Sequence, residues 1–125
     1  MRRYSLILVA AGALAALAVG LAQAADSPGH EGVLRALIDS AARGQVDERT
    51  LTPGLATAFR PQAAIAQAEL TALGELKSVT FERPGKDGSE IYLTTFAGGS
   101  LEWAFAMAPD GRISNAMYRK PAAPR

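Results

Sequence analysis

The chain has 125 residues, with 13 basic against 12 acidic side chains, one histidine and no cysteine. That length suits a single domain with its own core, and a near-neutral balance of interspersed charges offers no basic stripe, so neither nucleic acid nor an anionic membrane surface is an expected partner. Without cysteine there is no disulfide, no thiolate metal ligand and no lipid-bearing residue at a cleavage site.

The first 24 residues read as a signal peptide. Arg2 and Arg3 form the positive end, residues 6–21 are an apolar run rich in Leu, Ala and Val, and Ala22-Gln23-Ala24 has the small-x-small form that signal peptidase cuts after. The run falls short of the about 20 apolar residues that a spanning helix wants. The arginine pair directly follows Met1 instead of sitting in the longer pattern read by a twin-arginine receptor. The expectation is export by the general secretory route, cleavage after Ala24, a periplasmic or secreted address and no membrane attachment afterwards. Loss of Arg2 and Arg3 leaves 11 basic against 12 acidic residues.

Ser27-Pro28 is a helix start signal, because the hydroxyl can accept an unpaired N–H and proline fits the first turn. Val33, Leu34, Leu37, Ile38 and Ala41 then recur at three- and four-residue steps, predicting an amphipathic helix that stops near Gly44. Thr52-Pro53 repeats the start signal for a short helix carrying Leu55, Ala58 and Phe59. Pro61 interrupts it and opens a third helix over 61–73, with an expected apolar face of Ile65, Ala68, Leu70, Ala72 and Leu73, closed by Gly74.

At Leu76 the apolar period changes from about 3.6 to 2. A strand over 76–83 presents Val79 and Phe81, and Pro84-Gly85-Lys86-Asp87-Gly88 is a hairpin loop. The second strand, over 90–97, sets Tyr92 and Phe96 against Ile91 and Leu93. Ala97-Gly98-Gly99 turns the chain into a third, where Leu101, Trp103, Phe105 and Met107 share one face, opposite Glu102, Ala104 and Ala106. Pro109-Asp110-Gly111 is a strong turn before a fourth strand over 112–119. Helices gathered ahead of hairpin-linked strands predict an α+β fold in which N-terminal helices pack on a four-stranded antiparallel meander sheet. The domain is expected over 25–119, with a loose Pro-rich tail over 120–125.

Three stretches, Leu73-Gly74-Glu75-Leu76-Lys77-Ser78-Val79-Thr80-Phe81, Gly99-Ser100-Leu101-Glu102-Trp103 and Pro109-Asp110-Gly111-Arg112-Ile113, carry a likeness. Over residues 51–118 the chain resembles the small cystatin-like or NTF2-like α+β domains of exported bacterial proteins, some of them appended to serine β-lactamase-like hydrolases. The shared motifs are turns and core positions, so the resemblance transfers no catalytic residue. It implies an accessory domain with a co-exported hydrolase as a possible partner, and the Ser-x-x-Lys motif of such hydrolases is missing from this chain.

His30 cannot build a zinc site of ordinary ligands without three carboxylates and reads as a solvated side chain beside a helix start. No Gly-x-Ser-x-Gly elbow presents a nucleophile, and Gly98-Gly99 lacks the lysine and strand-to-helix setting of a phosphate loop. Glu69 and Glu102 could face each other across the layers as a carboxylate pair, and the alternative function is a small NTF2-like lyase or isomerase that uses one pocket carboxylate, Glu69 or Glu102, as its base. The aromatic set remains, either as plain core or as the lining of a cavity under the helices. Candidate ligand-pocket residues are Phe59, Tyr92, Trp103, Tyr118 and Glu69, with Tyr92 and Trp103, which carry polar handles, expected at its mouth. The favoured function is a non-catalytic exported domain that binds a partner protein or a small apolar ligand, with no cofactor. Ile91, Leu93, Ala104 and Ala106 on the sheet face away from the helices could pair two copies as a homodimer.

Overall fold

The computed structural model describes residues 27–121. The predicted signal peptide and the end of the predicted tail, residues 122–125, lie outside them. Helix α1 (Glu31–Ala42), α2 (Pro53–Phe59) and α3 (Ala63–Leu73) precede four strands, β1 (Leu76–Pro84), β2 (Glu90–Phe96), β3 (Gly99–Met107) and β4 (Ile113–Arg119). The strands form one antiparallel sheet in the order β1-β2-β3-β4. Helices α1 and α3 pack together, α1 lies against β1 and α2 against β4, so the helices share one face of the sheet. The architecture is α+β, with helices on a four-stranded antiparallel sheet.

Alternation decides which side chains enter the core. Tyr92, Thr94 and Phe96 of β2 and Leu101, Trp103 and Phe105 of β3 are buried, in register across the pair Tyr92–Trp103 and Thr94–Leu101. They meet Leu34, Ile38 and Ala41 of α1, Ala56 of α2 and Leu70 of α3. Each large apolar side chain taken fully out of water contributes about 1.5–3 kcal/mol. Bulges in β1 between Leu76 and Ser78 and between Phe81 and Arg83 break strict alternation and allow Leu76 and Val79, an odd number of residues apart, both to pack against the core.

Two turns need their glycines. Gly44, at φ +68, ends α1 in the left-handed region and lies directly under the Gln67 side chain of α3. The β2–β3 turn docks on the end of α3: Gly98 N donates to Leu73 O at 2.7 Å and Ala97 N to Glu75 O at 2.9 Å. A β-carbon on Gly98 would lie 3.0 Å from that same carbonyl oxygen. The turn's glycines therefore answer to packing and hairpin geometry. Ahead of α2, Leu51 forms a parallel bridge to Ile113, and Thr52 N donates to Ile113 O at 2.9 Å, tying the inter-helix segment to the start of β4.

Several local expectations need correction. Ser27-Pro28 does not start α1; the helix begins at Glu31, after Gly29 at φ +82. The Ser27 hydroxyl accepts from Gly29 N and donates to Glu31 Oε2 at 2.7 Å. The Thr52-Pro53 start does form, Thr52 Oγ1 accepting from Leu55 N at 3.3 Å. In α3 the buried side chains are Ala66 and Leu70, while Ile65, Ala68 and Ala72 of the expected apolar face are exposed. Residues Arg60–Gln62 form a separate 3-10 turn before it. Among the described residues no helix is long and apolar enough to cross a membrane.

Candidate functional site

Between the helices and the last two strands lies a half-enclosed cleft of about 530 Å³. Helix α1 contributes Leu37, α2 Leu55, Ala58 and Phe59, α3 Ile65, Glu69 and Leu70, and the sheet Trp103 and Tyr118. The walls are mostly carbon. Ile65, 54% exposed, stands at the mouth, so of the apolar face expected for α3 Leu70 enters the core and Leu73 packs against it, whereas Ile65 borders the opening. The cleft exists because α2 is short and α3 alanine-rich: small side chains between Phe59 and Leu70 fill less of the space above β4 than a leucine face would.

Of the five candidate pocket residues, Phe59, Glu69, Trp103 and Tyr118 line this cleft. Tyr92 does not. It is fully buried, edge-on to Phe81 at 5.5 Å and Phe105 at 6.0 Å, and its hydroxyl donates to Glu90 Oε1 at 2.9 Å. Burial first, and then that carboxylate, push the Tyr92 phenol well above its ordinary value. Trp103 offers the cleft its ring and not its polar handle, because Nε1 donates to buried Thr94 Oγ1 at 3.1 Å. Thr94 in turn donates to Leu101 O at 3.1 Å, so both polar groups are satisfied inside the core.

The cleft's polar edge is a pair. The Tyr118 hydroxyl donates to Glu69 Oε1 across the gap between β4 and α3. Burial and then the adjacent carboxylate push the Tyr118 phenol up to about 12. The Tyr118 ring rests against Trp103, with centroids 4.9 Å apart and planes tilted by 44°.

No family model matches the chain, and no curated protein or solved structure is significantly similar to it.

Glu102 does not join Glu69. It alternates away from Trp103 onto the sheet face opposite the helices, where Arg119 Nε donates to Oε1 at 2.9 Å and Arg83 Nη2 to Oε2 at 3.3 Å. The Arg119 hydrogen bond, helped by the Arg83 charge, holds its carboxyl below the usual carboxylate range. A carboxylate stabilised in this way is a poor proton acceptor, and the sheet separates it from the cleft, so the two-carboxylate arrangement is absent. Ile91, Leu93, Ala104 and Ala106 lie half-buried on that same open face, with Met117 of β4 65% exposed beside Ala104.

His30 also departs from expectation. It is half-buried rather than solvated, its Nδ1 lying 2.9 Å from Glu90 Oε1 and 3.1 Å from Oε2, and its ring packs near Phe105. Facing a carboxylate that only accepts, Nδ1 carries the proton. The His30–Glu90–Tyr92 cluster ties the start of α1 to the start of β2, a connection between residues 60 positions apart. Among the described residues no three His, Asp or Glu side chains converge as a metal site.

Proposed function

We propose that this chain is an exported, non-catalytic binding domain of cystatin-like or NTF2-like architecture, and that its ligand is a small apolar molecule. The observation that carries the reading is the apolar cleft, whose volume falls in the range of about 300–1,000 Å³ in which proteins hold small ligands. Carbon-lined walls favour shape and burial over reaction, and with Glu102 held by Arg119 and Arg83 on the far sheet face the cleft has Glu69 as its one carboxylate among the described residues. The N-terminal Arg-Arg, apolar run and Ala-Gln-Ala sequence support export.

Trp103 makes the reading testable, since it is the only tryptophan and it lines the cleft. Titrating the processed protein with decanol should change its emission saturably. Ala58→Phe, at an exposed lining position, should weaken that response by narrowing the space. A flat titration would refute cleft binding. N-terminal sequencing of protein recovered from the cell envelope should begin at Ala25, and an intact Met1 would refute processing.

A further inference from the structure

The cleft has an electrical sign as well as a shape. Glu69 is the charged side chain that lines it, and among the described residues neither lysine, arginine nor histidine does so. Tyr118 fixes one carboxylate oxygen, Oε1; among the described residues nothing donates to Oε2, and no cationic side chain pairs with Glu69. A formal negative charge is thus held at the edge of an apolar surface with one of its two oxygens free of protein donors among the described residues. The opposing feature is α3's first turn, since Gln62 at its start also borders the cleft. A helix N-terminus amounts to about half a positive charge and fades within one turn. Glu69 carries a full charge and sits almost two turns further along. The carboxylate therefore dominates at the Tyr118 end.

Resting on the binding reading above, we infer that the cleft selects amphiphiles with a cationic head over neutral and anionic ones, the apolar body lying along Leu55, Phe59 and Trp103 and the ammonium against Glu69. An alkylammonium head can donate to the free Oε2 while its chain stays on carbon. A carboxylate head of the same length meets Glu69 as a like charge, and an alcohol gains a hydrogen bond but no ion pair.

The test compares decylamine, decanol and decanoate, following Trp103 emission in the processed protein at low salt. Decylamine should bind about fivefold tighter than decanol, as expected for a partly exposed ion pair, with decanoate the weakest, and added salt should shrink the gap. Glu69→Gln should abolish the preference for the amine, bringing decylamine and decanol to within about twofold of each other; Glu69 is exposed, so this variant keeps the fold. Equal binding of the three probes, tightest binding of decanoate, or an amine preference that survives Glu69→Gln overturns the charge selection while the apolar cleft reading stands. No response to any probe overturns the cleft reading itself, and the selection with it.

Discussion

Replacing Thr94 by valine isolates one buried interaction. The hydroxyl is fully buried, accepts from Trp103 Nε1 at 3.1 Å and donates to Leu101 O at 3.1 Å. Valine has a similar outline and no hydroxyl, so the indole N–H, on a side chain only 3% exposed, is left without a partner and without water. An orphaned buried donor costs about 1–3 kcal/mol. In a domain of this size each kcal/mol moves the melting temperature by about 4–8 °C, so Thr94→Val should melt well below the parent. Trp103→Phe removes the donor instead. In that background Thr94→Val forfeits only the bond to Leu101 O, worth about 1 kcal/mol, so the two changes should be coupled by about 1 kcal/mol or more. Urea unfolding must be followed by far-ultraviolet circular dichroism, because the cycle deletes the only tryptophan. A Thr94→Val protein within about 0.5 kcal/mol of the parent, or an equal cost in both backgrounds, would refute the reasoning.

Glu102→Gln should cost stability at neutral pH and little at low pH. The Glu102 carboxyl is held below its ordinary value by Arg119 and Arg83, so its contribution is present above the unfolded value near 4.5 and is lost as pH falls through the folded one; urea midpoints at pH 7 and pH 3 compare the two. At the alkaline end the sign reverses. The Tyr118 phenol is raised from 10 to about 12, so its contribution is complete below pH 10 and is lost as pH rises towards 12. Tyr118→Phe should flatten part of that decline in a pH series of urea midpoints, leaving the share that raised Tyr92 supplies.

The change of rhythm at Leu76 and the turns at Pro84–Gly88 and Pro109–Gly111 marked the sheet because period-2 burial and turn chemistry are local. Both were legible from neighbouring residues alone. The face of α3 was not, since alanines at positions 63, 64, 66, 68 and 72 surround the helix with small apolar groups and blur the period. Phe59, Glu69, Trp103 and Tyr118 could be picked as aromatic or ionisable residues near the layer boundary, but Tyr92 could not be separated from them. It pairs directly with Trp103 across the strands, and only the placement of α1 decides that one end of this inner face is sealed while the other stays open. The His30–Glu90 contact and the two-arginine clasp on Glu102 join segments distant along the chain, and nothing in either segment announces its partner.

The bridge from Leu51 to Ile113 gives the cleft a place in time. Its roof is made early in the sequence and its far wall, β4, comes last, so loop closure over some sixty residues must precede any enclosed space. As the chain is synthesised the helices emerge first, with an apolar flank still uncovered, and the hollow beneath them takes shape only once the final strand is out.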